Sequence, residues 1–316
     1  MTPAFDLPVP QGGYAWWYLD ALSDDGRHGL TLIAFIGSVF SPYYAWARRR
    51  GDGLADPLNH CAMNVALYAG KGSGAAKGWC MTERGSRVVA RTSSTLQIGP
   101  SGLAWDGHTL TAEIDEITVP WGRRMRGTVR LHPHALLEHA YALDAGSRHH
   151  WCPIAPGARV EVELTHPALS WSGTAYLDCN RGERPLEQDF QRWDWSRSAL
   201  PQRRSAVLYD VTRRDGSALS LALEFDGRGG AAAFTPPPTC ALPASAWHVP
   251  RSTRSEVPRA ARVEQTLEDG PFYARSILQT RLLGEPATAV HESLCLQRWA
   301  RPAVQLMLPF RMPRRA

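Results

Sequence analysis

Short apolar or alternating runs recur along the chain and are punctuated by Gly, Pro, Asp and Asn: YAWWYLDAL, GLTLIAFIG, AMNVALYAG, RVVARTSSTLQIG, LTAEIDEITV, RGTVRLHP, ARVEVELTH, AVLYDVTRR, ALSLALEF and ARSILQTRLL. Runs of this length with period-two alternation are strands, because successive side chains of an extended chain point to opposite faces. VEVEL and LTAEIDEI alternate strictly, so each has one buried and one wet face, as in the wall of an antiparallel barrel or sandwich. Asp24-Asp25-Gly26, Asp106-Gly107, Asp215-Gly216 and Asp226-Gly227 supply turn chemistry, the first joining YLDALS to HGLTLIAF as a hairpin. The pattern predicts a mostly β protein of up-and-down antiparallel connectivity. Helix is expected to be scarce, with His132 to Leu143 (HPHALLEHAYAL) the best candidate.

The 316 residues, 44% hydrophobic and with 12 Trp, suffice for a substantial core in one large domain or two ordinary ones. The weakly patterned stretch at 144–158, with Pro153, Pro156 and Gly157, divides the chain nearly in half and predicts β domains at 1–150 and 151–316. A Pro-rich stretch from Thr235 to Pro258 reads as a long loop inside the second half, and KGSGAAKG at 71–78 as a flexible loop. No residue-level repeat relates the halves.

The composition excludes several function classes. No apolar run approaches the roughly 18 residues of a membrane-spanning helix, and MTPAFDLPVPQGG lacks the features of a secretory signal. A cytoplasmic protein is expected. Six scattered cysteines without a C-x-x-C pair read as reduced, mostly buried thiols. The formal charge of +5 rests on arginine, since Lys71 and Lys77 are the only lysines. Without a recognition helix or a basic stripe, nucleic acid is not an expected partner. A membrane surface suits this charge better. The tail RWARPAVQLMLPFRMPRRA interleaves Trp299, Leu306, Met307, Leu308 and Phe310 with Arg298, Arg301, Arg311, Arg314 and Arg315, as an interfacial segment or as a last core strand with a solvated basic end.

Two pairs with i, i+2 spacing carry the chemistry: His149 and Trp151 in SRHHWCPI, and Tyr176 and Asp178 in GTAYLDCNRGERPLEQDFQRWDWSR. If both segments are extended, each pair points to one side of its strand. A carboxylic acid, an imidazole and two aromatic rings suit acid chemistry on an apolar substrate. Asp178 donates a proton, His149 holds or relays one, and Tyr176 and Trp151 face the developing cation. The alternative is an Asp/Asn turn closing a strand and a satisfied interior histidine. Trp193 and Trp195 share one face of QRWDWSR with Asp194 on the other, and with Trp16 and Trp17 they line an apolar channel or else pack in a core. Asp20 and Glu83 are reserve acids. His132, His134, His139 and the His149-His150-x-Cys152 cluster are ligand types for zinc, but no spacing supports a site, and no metal is expected. G-x-S-x-G, Walker and dinucleotide motifs are all missing from the sequence.

At these residues the sequence resembles the carotenoid 1,2-hydratases, or hydroxyneurosporene synthases, of purple phototrophic bacteria. The resemblance runs from GGYAWWYLDALSDDGRHGLTLIAFIGSVFSPYYAWARRRG through NHCAMNVALYAG, GWCMTERG and HHW to GTAYLDCNRGERPLEQDFQRWDWSR. It implies two consecutive lipocalin-like β-barrels. It also implies a hydro-lyase that needs no cofactor and adds water to the terminal C1=C2 bond of acyclic carotenoids such as neurosporene and lycopene. The aspartate of the Y-x-D motif, here Asp178, is the acid that such enzymes imply, with Tyr176, His149 and Trp151 as its partners. A substrate of this kind resides in membranes, which implies peripheral association with the cytoplasmic side of the inner or intracytoplasmic membrane. The residues alone leave open a non-catalytic carrier of an apolar ligand, or an acid-catalysed isomerase or cyclase.

Overall fold

In the computed structural model, which describes residues 3–74 and 77–315, the expected runs all become strands. β1 (Tyr14–Ser23) and β2 (His28–Ile36) form the anticipated hairpin, its Gly26 taking the positive φ of 67° that the turn demands. A helix that the β pattern did not anticipate follows, α1 (Pro42–Arg50). Its signal is local: the Ser41 hydroxyl accepts the N–H groups of Tyr43 and Tyr44 at 3.1 and 3.2 Å, Pro42 opens the first turn, and Arg48, Arg49 and Arg50 oppose the negative end of the dipole.

The chain continues through β3 (Cys61–Ala69), β4 (Gly78–Arg84), β5 (Val89–Arg91), β6 (Thr95–Ile98), β7 (Ser101–Trp105), β8 (Leu110–Ile117), β9 (Arg124–Pro133), β10 (Tyr141–Ala142), β11 (His149–His166) and β12 (Ala168–Gly182). A short helix, α2 (Leu186–Asp189), leads to β13 (Phe190–Ala199), β14 (Ser205–Arg213), β15 (Ala218–Phe225) and β16 (Ala231–Ala233). β17 (Thr239–Leu242), β18 (Arg251–Arg254), β19 (Arg262–Asp269), β20 (Tyr273–Leu282) and β21 (Glu285–Cys295) complete this part. α3 (Leu296–Trp299), α4 (Pro302–Met307) and β22 (Arg314–Arg315) end the chain.

Two compact units result, 1–185 with 306–316, and 186–305. The boundary expected at 150/151 instead falls inside β11, an 18-residue strand. Pro153 and Pro156 read as linker residues because neither has an N–H for a ladder. The structure accommodates them as bulges, with register shifts between Cys152 and Ala155 and between Ala155 and Ala158. The helix expected at 132–143 likewise does not form, because its backbone bonds outward: His134 N–H to Gly157 O at 3.0 Å and Leu137 N–H to Ile154 O at 2.9 Å. Of the loop expected at 71–78, residues 75 and 76 lie outside the described residues. The Pro-rich excursion is present and carries only the β17–β18 ribbon.

In the first unit the strands run β22-β4-β3-β2-β1-β12-β11-β9-β8-β7-β6-β5, antiparallel throughout except at β22–β4, with β10 on β11. One apolar cluster joins Trp17, Leu19, Leu32, Val65 and Leu177 to Leu96, Ile98, Leu110 and Val129 from the far end of that path, so the sheet curls around a single core. In the second unit the order is β16-β15-β14-β13-β21-β20-β19. Its interior is more polar. Asp194 accepts from the Ser252 hydroxyl at 2.8 Å and from Ser293, and the fully enclosed His291 donates its Nε2–H to Ser252 O at 2.8 Å.

Candidate active site

Alternation along β12 sends Ala175, Leu177 and Cys179 into the core and Tyr176, Asp178 and Asn180 to the opposite face. β1 does the same, with Ala15, Trp17, Leu19 and Ala21 inside and Tyr14, Trp16, Tyr18 and Asp20 opposite. The antiparallel register places Tyr18 across from Asp178 and Asp20 across from Tyr176. That second face is not a wet one: Asp178 is 4% exposed, and Asp20, Tyr176 and His149 are 0% exposed.

Three of the four expected catalytic residues meet at one atom. Asp178 Oδ2 accepts the Tyr176 hydroxyl at 2.8 Å and the Trp151 indole N–H at 2.7 Å. Trp151 lies opposite Asn180 and reaches Asp178 diagonally. At the bulge Pro153 and Ile154 together oppose Asp178 on the β11 side. Burial and the neighbouring Asp178 charge push the Tyr176 phenol well above its ordinary value, so it remains a donor.

The fourth, His149, shares this face but bonds elsewhere: its Nδ1 meets the Tyr14 hydroxyl at 2.8 Å, with the rings stacked at 5.8 Å. The Asp144 carboxylate fixes the strand end by accepting the His149 N–H at 2.9 Å. Gly182 lies across from both His149 and Tyr14, and a Cβ there would stand 2.5 Å from His149 Nδ1 and 2.5 Å from Tyr14 Cε1.

The tryptophans divide. Trp16 belongs to the Asp178 face and stacks on Tyr14 at 5.0 Å. Trp17 does not line a channel on that face; it fills the core, packing against Phe5 at 5.1 Å and donating its N–H to Pro3 O at 2.8 Å. Trp193 and Trp195 are in the second unit, on the side of β13 opposite Asp194, where Trp193 packs against Phe190 and Tyr209. Of the reserve acids, Glu83 is enclosed by His60 at 2.9 Å and by Arg314, a structural clamp on the end of the chain. Asp20 faces the site and accepts the Tyr18 hydroxyl at 3.0 Å.

Sequence reasoning passed over Tyr14, Tyr18 and Asn180. Parity along YAWWYLD was the available signal, but it becomes informative only once β1 is known to pair with β12. The string Tyr-Leu-Asp occurs at both 18–20 and 176–178, and the fold sets the two copies side by side.

A cavity of about 480 Å³, lined in part by Leu136, Glu138, His150, Cys152, Cys179 and Arg181, opens on the core-side face of β11 and β12, away from Asp178. Burial pushes its thiols up, Cys152 to about 11 and Cys179 well above its ordinary value, which disfavours the thiolate. All six cysteines are free and, except for Cys152, buried. Among the described residues no three His, Cys, Asp or Glu side chains converge as a metal site requires.

Known proteins match this chain over most of its length. The family model for the carotenoid hydratase CrtC matches residues 32–316. The acyclic carotenoid 1,2-hydratase of Thiocapsa roseopersicina is 58% identical over 313 residues, 99% of this chain and 76% of that protein. That of Rubrivivax gelatinosus is 53% identical over 316 residues, 100% of this chain and 77% of that protein. Among solved structures, the protein assigned as AttH from Nitrosomonas europaea superposes with a TM-score of 0.60 at 16% identity, covering 89% of this chain and 91% of that one. That likeness concerns the fold alone and bears out the expected lipocalin-like, mostly β class. With the family match spanning most of the chain and two relatives above 50% identity along nearly all of it, the protein belongs to the carotenoid hydratase CrtC family of enzymes.

Proposed function

We propose that this protein adds water across the terminal C1=C2 double bond of an acyclic carotenoid such as neurosporene or lycopene, with Asp178 as the acid. The observation that carries the reading is the buried carboxyl whose Oδ2 accepts both the Tyr176 hydroxyl and the Trp151 N–H. In so enclosed a place the neutral acid costs less to hold than the charged one. With Oδ2 committed as an acceptor, the proton belongs on Oδ1. Once that proton has gone to C2, the same two donors stabilise the carboxylate left behind, which makes the group a competent acid.

Protonation leaves a tertiary cation at C1. Trp16 and Tyr18, next to the acid on β1, offer ring faces that stabilise it by roughly 1 to 2 kcal/mol each when desolvated. Water then attacks C1 and its proton is lost. Trp151 and Tyr176 act chiefly by orienting the acid, a narrower role than direct shielding of the cation. His149 acts through Tyr14, tying β11 to β1 across Gly182 of β12.

The substrate resides in lipid, and the end of the chain suits a lipid surface. Leu306 and Phe310 are 64% and 84% exposed, with Arg311 next to Phe310 in the chain. The protein therefore associates peripherally with the membrane; no helix among the described residues is long and apolar enough to cross one.

The test is incubation of lycopene- or neurosporene-containing membranes with the protein and with Asp178→Asn, followed by mass spectrometry. Addition of one water by the parent and not by the variant is the expected result. An unchanged mass with altered retention, or saturable binding without product, overturns the reading in favour of isomerisation or carriage.

A further inference from the structure

Hydration needs a group to accept the proton from the attacking water as well as an acid. Asp178 is poorly suited to both tasks, since two donors on Oδ2 stabilise its carboxylate and so weaken it as a base. The fold supplies a second carboxylate in the same environment. The two Tyr-Leu-Asp strings lie antiparallel, so each tyrosine stands opposite the other string's aspartate: Tyr18 across from Asp178, and Tyr176 across from Asp20. Each tyrosine hydroxyl donates to the aspartate two residues along its own strand, Tyr18 to Asp20 at 3.0 Å and Tyr176 to Asp178 at 2.8 Å. The tyrosine rings meet edge to face at 6.2 Å. Asp20 is therefore the diagonal neighbour of Asp178, and diagonal positions on paired strands lie about 7–8 Å apart. Side chains rooted that far apart on one face reach toward the same space, where an acid and a base carboxylate can act on either side of one water. Asp20 also adds, behind burial and Asp178, to the upward push on the Tyr176 phenol, as proximity requires.

We infer that Asp20 is the general base of the reaction, the group that takes the proton from the water attacking C1. This rests on the hydration proposed above. The π pair of C1=C2 forms the new C2–H bond with the proton of Asp178, leaving a carboxylate and a cation at C1. A lone pair of water forms the C1–O bond, and the proton released goes to the Asp20 carboxylate. One proton then moves from Asp20 to Asp178 through solvent, so the sum is alkene plus water giving alcohol.

The experiment follows lycopene in vesicles in D2O, reading hydrated product and deuterium in the recovered alkene for the parent, Asp178→Asn, Asp20→Asn and Asp20→Glu. Asp178→Asn is expected to lose both signals. Asp20→Asn is expected to lose hydration at least 100-fold yet keep deuterium incorporation, because protonation and its reversal do not need the base, and Asp20→Glu restores part of the hydration. Parental hydration in Asp20→Asn overturns the inference. So does joint loss of both signals in a variant whose circular dichroism and melting match the parent, since Asp20 would then serve only the acid. Should Asp20→Asn not fold, Tyr18→Phe is read instead. It leaves the carboxylate and removes its orienting hydroxyl, and is expected to shift the ratio of hydration to exchange about tenfold toward exchange. An unchanged ratio overturns the assignment. A parent that gives neither signal defeats the hydratase reading itself.

Discussion

The Trp151 indole N–H reaches Asp178 Oδ2 at 2.7 Å from a strand position that faces Asn180, across the place where β11 slips its register against β12. A tryptophan that sequence spacing offers as a cation-stabilising ring is thereby also a hydrogen-bond donor to the acid.

Trp151→Phe keeps a ring and removes the donor. A hydrogen bond to a group that becomes charged is worth about 1.5–3 kcal/mol, so kcat is expected to fall roughly 10- to 100-fold with KM little changed. Tyr176→Phe is expected to act the same way. Steady-state hydration kinetics check both; an unaltered kcat for either variant would return that residue to a packing role.

Gly182→Ala places a methyl 2.5 Å from both His149 Nδ1 and Tyr14 Cε1. The Tyr14–His149 bond must open or the strands must part, a cost of about 1–3 kcal/mol. The expected outcome is a lower melting temperature by several degrees together with reduced hydration, read by thermal unfolding and product assay.

His291 is held neutral, since burial lowers it below its ordinary value of 6.5 and outweighs the pull of Asp194 at 3.8 Å. An unfolded chain takes up a proton here that the folded chain refuses. Stability is therefore full above pH 6.5 and is lost as pH falls below it. His291→Gln keeps a donor for Ser252 O and removes the titration. Its stability is expected to fall less steeply between pH 7 and 5, by up to about 1.4 kcal/mol per pH unit. Urea unfolding at several pH values checks this; parallel slopes would refute it.

Phe310, 84% exposed near Arg311, is expected to insert into lipid. Withdrawal of that ring forfeits about 1.5–3 kcal/mol of burial, so Phe310→Ala should bind anionic vesicles at least tenfold more weakly, with activity on detergent-dispersed substrate retained. Vesicle co-sedimentation at two salt concentrations measures the effect, and raised salt should weaken the parent as well.

Much of the fold is legible in the chain. Each alternating run becomes a strand, each Asp-Gly turn a connection, and Trp193 and Asp194 take opposite faces of β13, because extended backbone imposes a period of two and tight turns demand particular residues. Where local rules were overridden, the reason is a bond made elsewhere. The apolar spacing at 132–143 suits a helix, but its N–H groups find carbonyls on β11 instead. Pro153 and Pro156 suggest a linker, but a long strand absorbs them as bulges.

Parity along a strand states which residues share a side, not which side is the core. Trp16 and Trp17 are equivalent until the sheet curls around one of them. Nor does parity say which strands pair. β1 and β12 are separated by most of the first unit, and it is their antiparallel register that sets Tyr18 across from Asp178 and Asp20 across from Tyr176. The sequence by itself determined a β protein with a Y-x-D acid on a strand face. The tertiary structure alone decided that this face is buried, that Trp151 and Tyr176 hold the acid, and that a second Tyr-Leu-Asp lies beside the first, because long-range pairing depends on the summed burial of whole faces and not on any local string.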